Sequence, residues 1–187
     1  MRGIVERVGP LRMEYRDPTF ETLVRSIVFQ QLSGTVARVI LSRLHGALPE
    51  ERITPEAILK LRIPKMRKLG LSGAKTEYIR DLARQTQAGV VRFEELPEAP
   101  DEDVIAALTR VKGIGVWTAQ MFLIFALRRP DVLPVGDLGV RKAIQQAYSL
   151  EELPKPGKME ELAVPWRPYC SAASWYLWRS LDGIAEI

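Results

Sequence analysis

Leu108-Thr109-Arg110-Val111-Lys112-Gly113-Ile114-Gly115-Val116-Trp117-Thr118-Ala119 is the stretch that decides the fold. Two helical patterns meet here across a very tight connection, Val111 to Gly115. Its glycines allow positive φ and let another backbone come close. The second helix starts near Gly115, so its first N–H groups lack intrahelical acceptors. With the positive end of the helix dipole behind them they form an anion site, and a DNA phosphate suits it. Lys112 adds a cation at the tip. A plain helix–helix turn with two glycines would look similar over so short a stretch. The following Val116-Trp117-Thr118-Ala119 favours a helix-hairpin-helix, with Lys112, Gly113, Ile114, Gly115 and Thr118 as its phosphate-binding hairpin.

Downstream, Leu133-Pro134-Val135-Gly136-Asp137-Leu138-Gly139-Val140-Arg141-Lys142 places Asp137 at the mouth of another helix. A carboxylate held there can stabilise positive charge that develops on a sugar near the bound phosphate. Asp137 as no more than a helix cap competes with this. Asp131 is the nearest rival carboxylate, but beside Pro130 it reads as turn chemistry.

The chain has 187 residues, 47% of them hydrophobic, enough for one compact domain or two small lobes around a cleft. A net charge of +4 favours a polyanionic partner without proving one. Cys170 is the only cysteine, which excludes a disulfide framework, a cysteine zinc site and an iron–sulfur cluster. It reads as a small core residue. Met1 to Gly9 mixes charge with apolar residues and does not resemble a signal peptide. The longest apolar run, Met121 to Leu127, is too short to span a bilayer. A soluble, cytoplasmic protein is expected.

Helical patterns dominate. Phe20, Leu23, Val24, Ile27, Val28 and Leu32 form one stripe, with Asp17-Pro18 as its start signal and Ser33-Gly34 as its stop. A second helix to about Leu44 turns Val36, Val39, Ile40 and Leu44 inward. Thr54-Pro55-Glu56 opens a short helix, and Pro64 to Leu69 another turn or two. Ser72 caps a longer one with Tyr78, Ile79, Leu82 and Ala83 on its buried side. Further helices end near Arg110, span Val116 to Leu127, run from Gly136-Asp137 to about Tyr148, and occupy 168–182. Pro154 to Gly157 is a loop, and His45 is expected to be exposed. No segment alternates with period two, so the fold class is all-α, with one lobe at about 30–130 and the other built from the N-terminal segment and about 131–187.

Gly113-Ile114-Gly115-x-x-Thr118-Ala119 followed by Asp137 resembles the helix-hairpin-helix–Gly/Pro/Asp (HhH-GPD) superfamily of base-excision DNA glycosylases. It is most similar to the 3-methyladenine DNA glycosylase II (AlkA-like) branch. Three further segments carry the resemblance: Leu23 to Ser33, Gly70 to Ile79, and Trp166-Arg167-Pro168-Tyr169 through Arg179. Two departures stand out: Lys112 where the hairpin often has proline, and Met121 where some relatives have a pocket tyrosine. An N-terminal β-domain of larger members has no room in this chain.

The resemblance implies hydrolysis of the N-glycosidic bond of an alkylated purine, flipped out of duplex DNA, with Asp137 beside the oxocarbenium-like sugar. It implies Trp117 and Trp178 in the base pocket, with Met121, Phe122 and Trp175 as further candidates, and Gln31 as the wedge that fills the gap in the stack. Indole faces favour a cationic base by about 1–2 kcal/mol. Glycosylase/lyases of the superfamily carry a Schiff-base lysine two residues after the hairpin's last glycine; here that residue is Trp117. A monofunctional enzyme follows, working as a monomer on damaged double-stranded DNA without a cofactor or membrane. A monovalent cation at the hairpin carbonyls is allowed. A non-catalytic helix-hairpin-helix DNA-binding protein is the alternative. Arg25 and Arg38 read as solvated faces.

Overall fold

The computed structural model describes residues 1–181, and no strand occurs among them. The chain forms two compact units: Arg16–Phe122, and Met1–Tyr15 together with the chain from Leu123 onward. The first unit contains most of the stretch from about 30 to 130 expected as one lobe. The helix α2 (Phe20–Phe29) packs on α3 (Gly34–Gly46) and α6 (Gly73–Gln87), and so joins the first unit. The second division falls inside α8 (Val116–Phe125), whose last turn packs Phe125 against an aromatic of the second unit.

Within Arg16–Phe122, side-chain caps set the helix starts. Thr19, Ser33, Thr54 and Ser72 each accept a bond from the backbone N–H three residues on. The first helix therefore begins at Thr19 instead of Asp17-Pro18, because Thr19 supplies the oxygen. The core is organised around α6, which packs on α2, on α4 (Pro55–Lys60) and on α5 (Ile63–Lys68). Leu23, Ile27, Ile58, Met66, Ile79, Leu82 and Leu108 of α7 (Asp101–Thr109) are fully buried. Arg80 Nη1 donates to the carbonyls of Ile58, Leu59 and Leu61 and closes the C-terminal end of α4.

Leu32, expected in the first stripe, lies past the end of α2 and is exposed, and two further expectations fail in this unit. Val36 and Val39 of α3 face outward, 47% and 46% exposed, while Ala37, Ile40 and Leu44 are buried. The inward stripe is i, i+3, i+7 from Ala37, and a small alanine at its head hid it. His45 is half-buried, with Nδ1 2.7 Å from the Glu51 carbonyl and Nε2 3.3 Å from Glu21 Oε1. The 3-10 turn Pro49–Glu51 brings that carbonyl back to it.

The second unit contains α1 (Arg2–Val8), α9 (Leu138–Ala147), α10 (Pro156–Ala163) and α11 (Cys170–Leu181). Ile4, Val140, Ile144, Met159, Trp166, Cys170 and Leu177 meet in its core. Neither α1 nor α10 is expected from the sequence. Met1, Ile4 and Val8 repeat every three to four residues and bury Ile4, so mixed charge concealed an amphipathic turn. At α10, the proline in the presumed loop is the N1 residue of a helix that buries Met159 and Ala163. The last helix starts at Cys170, not 168, and the expected end at 182 lies outside the described residues. No helix of the described residues is long and apolar enough to cross a membrane.

Burial, followed by a hydrogen bond to Asp131 and its charge, pushes the Cys170 thiol up to about 12. The thiolate is the nucleophile, and it is scarce below that pH. Iodoacetamide at pH 8 is therefore expected to leave the folded protein unmodified and to label Cys170 once urea unfolds it. Rapid labelling in the native state would contradict a core thiol.

Candidate active site

The hairpin between α7 and α8 rests on α6. Gly113 has φ +80°, and a side chain there would be driven into the Tyr78 ring. Asp81 is buried and holds the tip from below: Oδ2 accepts the Lys112 N–H at 2.9 Å, and Oδ1 accepts from Arg84 at 3.1 Å. Val111 and Ile114 are buried, and the Ile114 N–H donates to the Val111 carbonyl at 3.1 Å. Lys112, Gly113 and Gly115 are exposed. Lys112 Nζ lies 2.7 Å from Glu77 Oε1, and that hydrogen bond, then the carboxylate's charge, raises its pKa. Both partners face solvent, so the pair is weak and a phosphate can compete for the ammonium. Thr118 is buried, which leaves any phosphate to Lys112 and the N–H groups that open α8.

The turn after α2 is anchored to the same brace. Gln31 stands exposed with φ +55°, a left-handed conformation unusual for a residue with a side chain. Lys75 Nζ, on α6, donates to the Val28 carbonyl at 2.7 Å and to the Gln30 carbonyl at 2.6 Å. It thereby serves carbonyls that the end of α2 leaves without helical donors. The Gln30 side chain donates through Nε2 to the Gly113 carbonyl at 2.9 Å. The Gln31 turn and the hairpin tip are thus joined to each other and, separately, to α6.

Helix α8 carries Trp117, Met121 and Phe125 at four-residue spacing, hence on one face. Trp117 is 47% exposed and Met121 half-buried. Phe122 lies on another face, 3% exposed and edge-on to Phe93 at 6.3 Å, as a core residue of the first unit.

In the second unit, Asp137 is the N-cap of α9 and only 8% exposed. Its Oδ1 accepts the Val140 N–H at 2.7 Å and the Trp178 Nε1–H at 2.8 Å. Trp178 is half-buried and stacks on Phe125 at 5.9 Å between centroids. Gly139 belongs to this arrangement: a Cβ there would stand 3.1 Å from both Asp137 Oδ1 and Trp178 Cδ1. The rival Asp131 is committed elsewhere, to Arg167 Nη1 at 2.6 Å and the Cys170 N–H at 3.3 Å, where α11 begins. Trp175 is buried, edge-on to Tyr176 at 5.1 Å, with the Arg179 guanidinium 5.6 Å from its ring centre.

Of the candidates named from sequence, the structure brings together Asp137 and Trp178, and adds Phe125 and Gly139, which sequence reasoning missed. The four-residue step from Trp117 through Met121 was the available signal for Phe125. Lys75, Tyr78, Asp81 and Gln30 were also missed, since their partners are remote in the chain. Among the described residues no His, Cys, Asp and Glu cluster could hold a metal.

Gly113→Ala is expected to cost more than about 2 kcal/mol in urea unfolding, from positive φ and from the collision with Tyr78. Adding Tyr78→Ala should cost less in the Gly113→Ala background than in the wild type, because the collision is gone. Strict additivity of the two changes would show that Tyr78 does not seat the hairpin.

The family model described as HhH-GPD superfamily base excision DNA repair protein matches residues 24–168. A putative DNA-3-methyladenine glycosylase of Bacillus subtilis is 34% identical over 179 residues, 92% of this chain, which spans 62% of that relative's length. DNA-3-methyladenine glycosylase 1 of Schizosaccharomyces pombe is 35% identical, with 96% of this chain and 81% of that protein covered. Among solved structures, the fission-yeast 3-methyladenine DNA glycosylase Mag1 in complex with abasic DNA has TM-score 0.83 at 33% identity, covering 97% of this chain and 90% of that one. A DNA-3-methyladenine glycosidase from Bacillus halodurans has TM-score 0.88 at 35% identity, covering 99% and 85%.

Proposed function

The chain belongs to the HhH-GPD superfamily of base excision DNA repair proteins, and we propose that it hydrolyses the N-glycosidic bond of alkylated purines in duplex DNA. The observation that carries this reading is the Asp137 carboxylate, buried at the start of α9 and oriented by two N–H donors on one oxygen. Breaking the bond leaves positive charge on the deoxyribose. A carboxylate already oriented and itself largely buried stabilises that charge without having to reorganise. It also orders the water that attacks C1′. A methylated purine carries a ring charge that makes it a good leaving group, so no strong general acid is needed.

An indole face, on Trp117 in the first unit and on Trp178 in the second, suits a cationic base. Gln31, already in a strained turn, fills the gap that the flipped base leaves. Trp117 stands where a lyase would need an amine, so the abasic product stays unbroken. The hairpin N–H groups and Lys112 hold a backbone phosphate. The chain acts as a monomer on damaged DNA in the cytoplasm, in contact with the nucleoid. A monovalent cation under the hairpin would share carbonyls with existing donors: Gly113's accepts from Gln30 and Val111's from Ile114. A carbonyl oxygen has a second lone pair for an ion, so the two are compatible.

A non-catalytic DNA-binding protein would also keep Asp137 as a cap, and base release separates the two. The native protein is expected to free 3-methyladenine or 7-methylguanine from methylated duplex DNA and leave strands intact until alkali is added. Borohydride should trap no protein–DNA adduct. DNA binding with no base released from a screen of alkylated and deaminated purines would favour the binding protein, and a trapped adduct would point to a lyase.

A further inference from the structure

Two arginines of the first unit flank the Gln31 turn. Helices α2 and α3 pack on each other on either side of that turn, with Arg25 on the first and Arg38 on the second, at matching distances along the chain. The Arg25 guanidinium lies 3.9 Å from the centre of the Phe29 ring, which fixes its position at the end of α2. Arg38 Nη2 donates to Thr35 Oγ1 at 3.3 Å, so its head folds back towards the turn. The pKa of Arg25 is lowered, first by burial and then by the charges of Arg16 and Arg38, in keeping with the packing of α2 on α3. Arg25 is half-buried against that ring, while Arg38 is solvent-exposed as expected.

Among the described residues, neither Arg25 nor Arg38 has a carboxylate within ion-pair distance. Other cations of the same unit do: Arg84 with Asp81, Arg92 with Glu95, Lys112 with Glu77. Unpaired like charges held together destabilise a free protein. A guanidinium on an aromatic face keeps its planar fork of donors for an oxyanion, and phosphate oxygens match that fork.

We propose that Arg25 and Arg38 form a second phosphate-binding site, which grips the DNA backbone next to the residue that enters the base stack. This rests on the glycosylase reading above. Forcing a side chain into a stacked duplex pushes the DNA away from the protein. A grip at the foot of the same turn opposes that push where it arises, whereas the hairpin holds the backbone at another point.

The test is the salt dependence of binding to a duplex that carries a tetrahydrofuran abasic analogue. For the Arg25→Gln/Arg38→Gln double variant, the slope of log K against log salt is expected to shrink by about 0.9 for each phosphate no longer neutralised. Arg25→Lys/Arg38→Lys should recover most of the slope. Arg52→Gln, a change at an exposed arginine of the 3-10 turn, should leave it unaltered. The thermal midpoint of the double glutamine variant at low salt should equal or exceed that of the native protein, because repulsion is relieved. An unchanged slope, or a lowered midpoint with an unchanged slope, would overturn the site and make these arginines structural. Base release by the native protein alongside an unchanged slope sinks the site and spares the reaction. A native protein that binds with the full slope, loses it in the double variant and releases no base sinks the reaction and spares the site.

Discussion

One oxygen, Asp137 Oδ1, receives two N–H donors: the backbone of Val140 at 2.7 Å and the indole of Trp178 at 2.8 Å. The first bond starts α9 and the second ties α9 to α11, so the carboxylate is both a structural joint and a fixed negative charge. Hydrogen bonds to an ionised group are strong, and they restrict rotation about the side chain. In the proposed reaction that restriction would matter, because stabilising a developing cation depends on charge that is already in place. Gly139 leaves room for the arrangement, since a methyl group there would press on both partners.

A second constraint operates in the first unit. Successive turns of α6 present Lys75, Tyr78 and Asp81, and each holds a different part of the surface formed by the hairpin and the Gln31 turn. Lys75 takes the carbonyls at the end of α2, Tyr78 fills the space under Gly113, and Asp81 takes the Lys112 N–H. The Gln30 bond to Gly113 closes the circuit. A strained residue such as Gln31 persists when its surroundings over-determine it. Here a helix buried along one face, with Ile79, Leu82 and Ala83 inaccessible, supplies that rigidity.

Much of this was legible in the chain. The all-α class followed from apolar spacing and the hairpin from two glycines followed by a helical pattern; Asp137 was legible locally as a helix cap, and its assignment to the chemistry came from the family resemblance. Local rules govern such features. The rest depends on partners far apart in sequence. Nothing near Asp81 announces that its carboxylate will sit under Lys112, or near Lys75 that it will serve Val28 and Gln30. Short amphipathic helices also escaped, since α1 and α10 bury few residues each and their patterns are brief. Phe122 and Trp175 were named for the base slot because aromatic type carries no information about direction; helix rotation turned both into the core. Arg25 and Arg38 look like ordinary surface charge until the Phe29 ring and their mutual proximity are known.

The measurement that bears most directly on this account is single-turnover release of methylated purine by Asp137→Asn, with its unfolding free energy measured alongside. The amide keeps an oxygen that can accept from Val140 and Trp178 but carries no charge. Stability should stay within about 1 kcal/mol of the native protein, since only the charge assistance of those bonds is lost. Release should fall by about 100-fold or more, which is about 2.7 kcal/mol of transition-state stabilisation. An asparagine variant that folds as well and releases base at the native rate would contradict the account and reduce Asp137 to a helix cap.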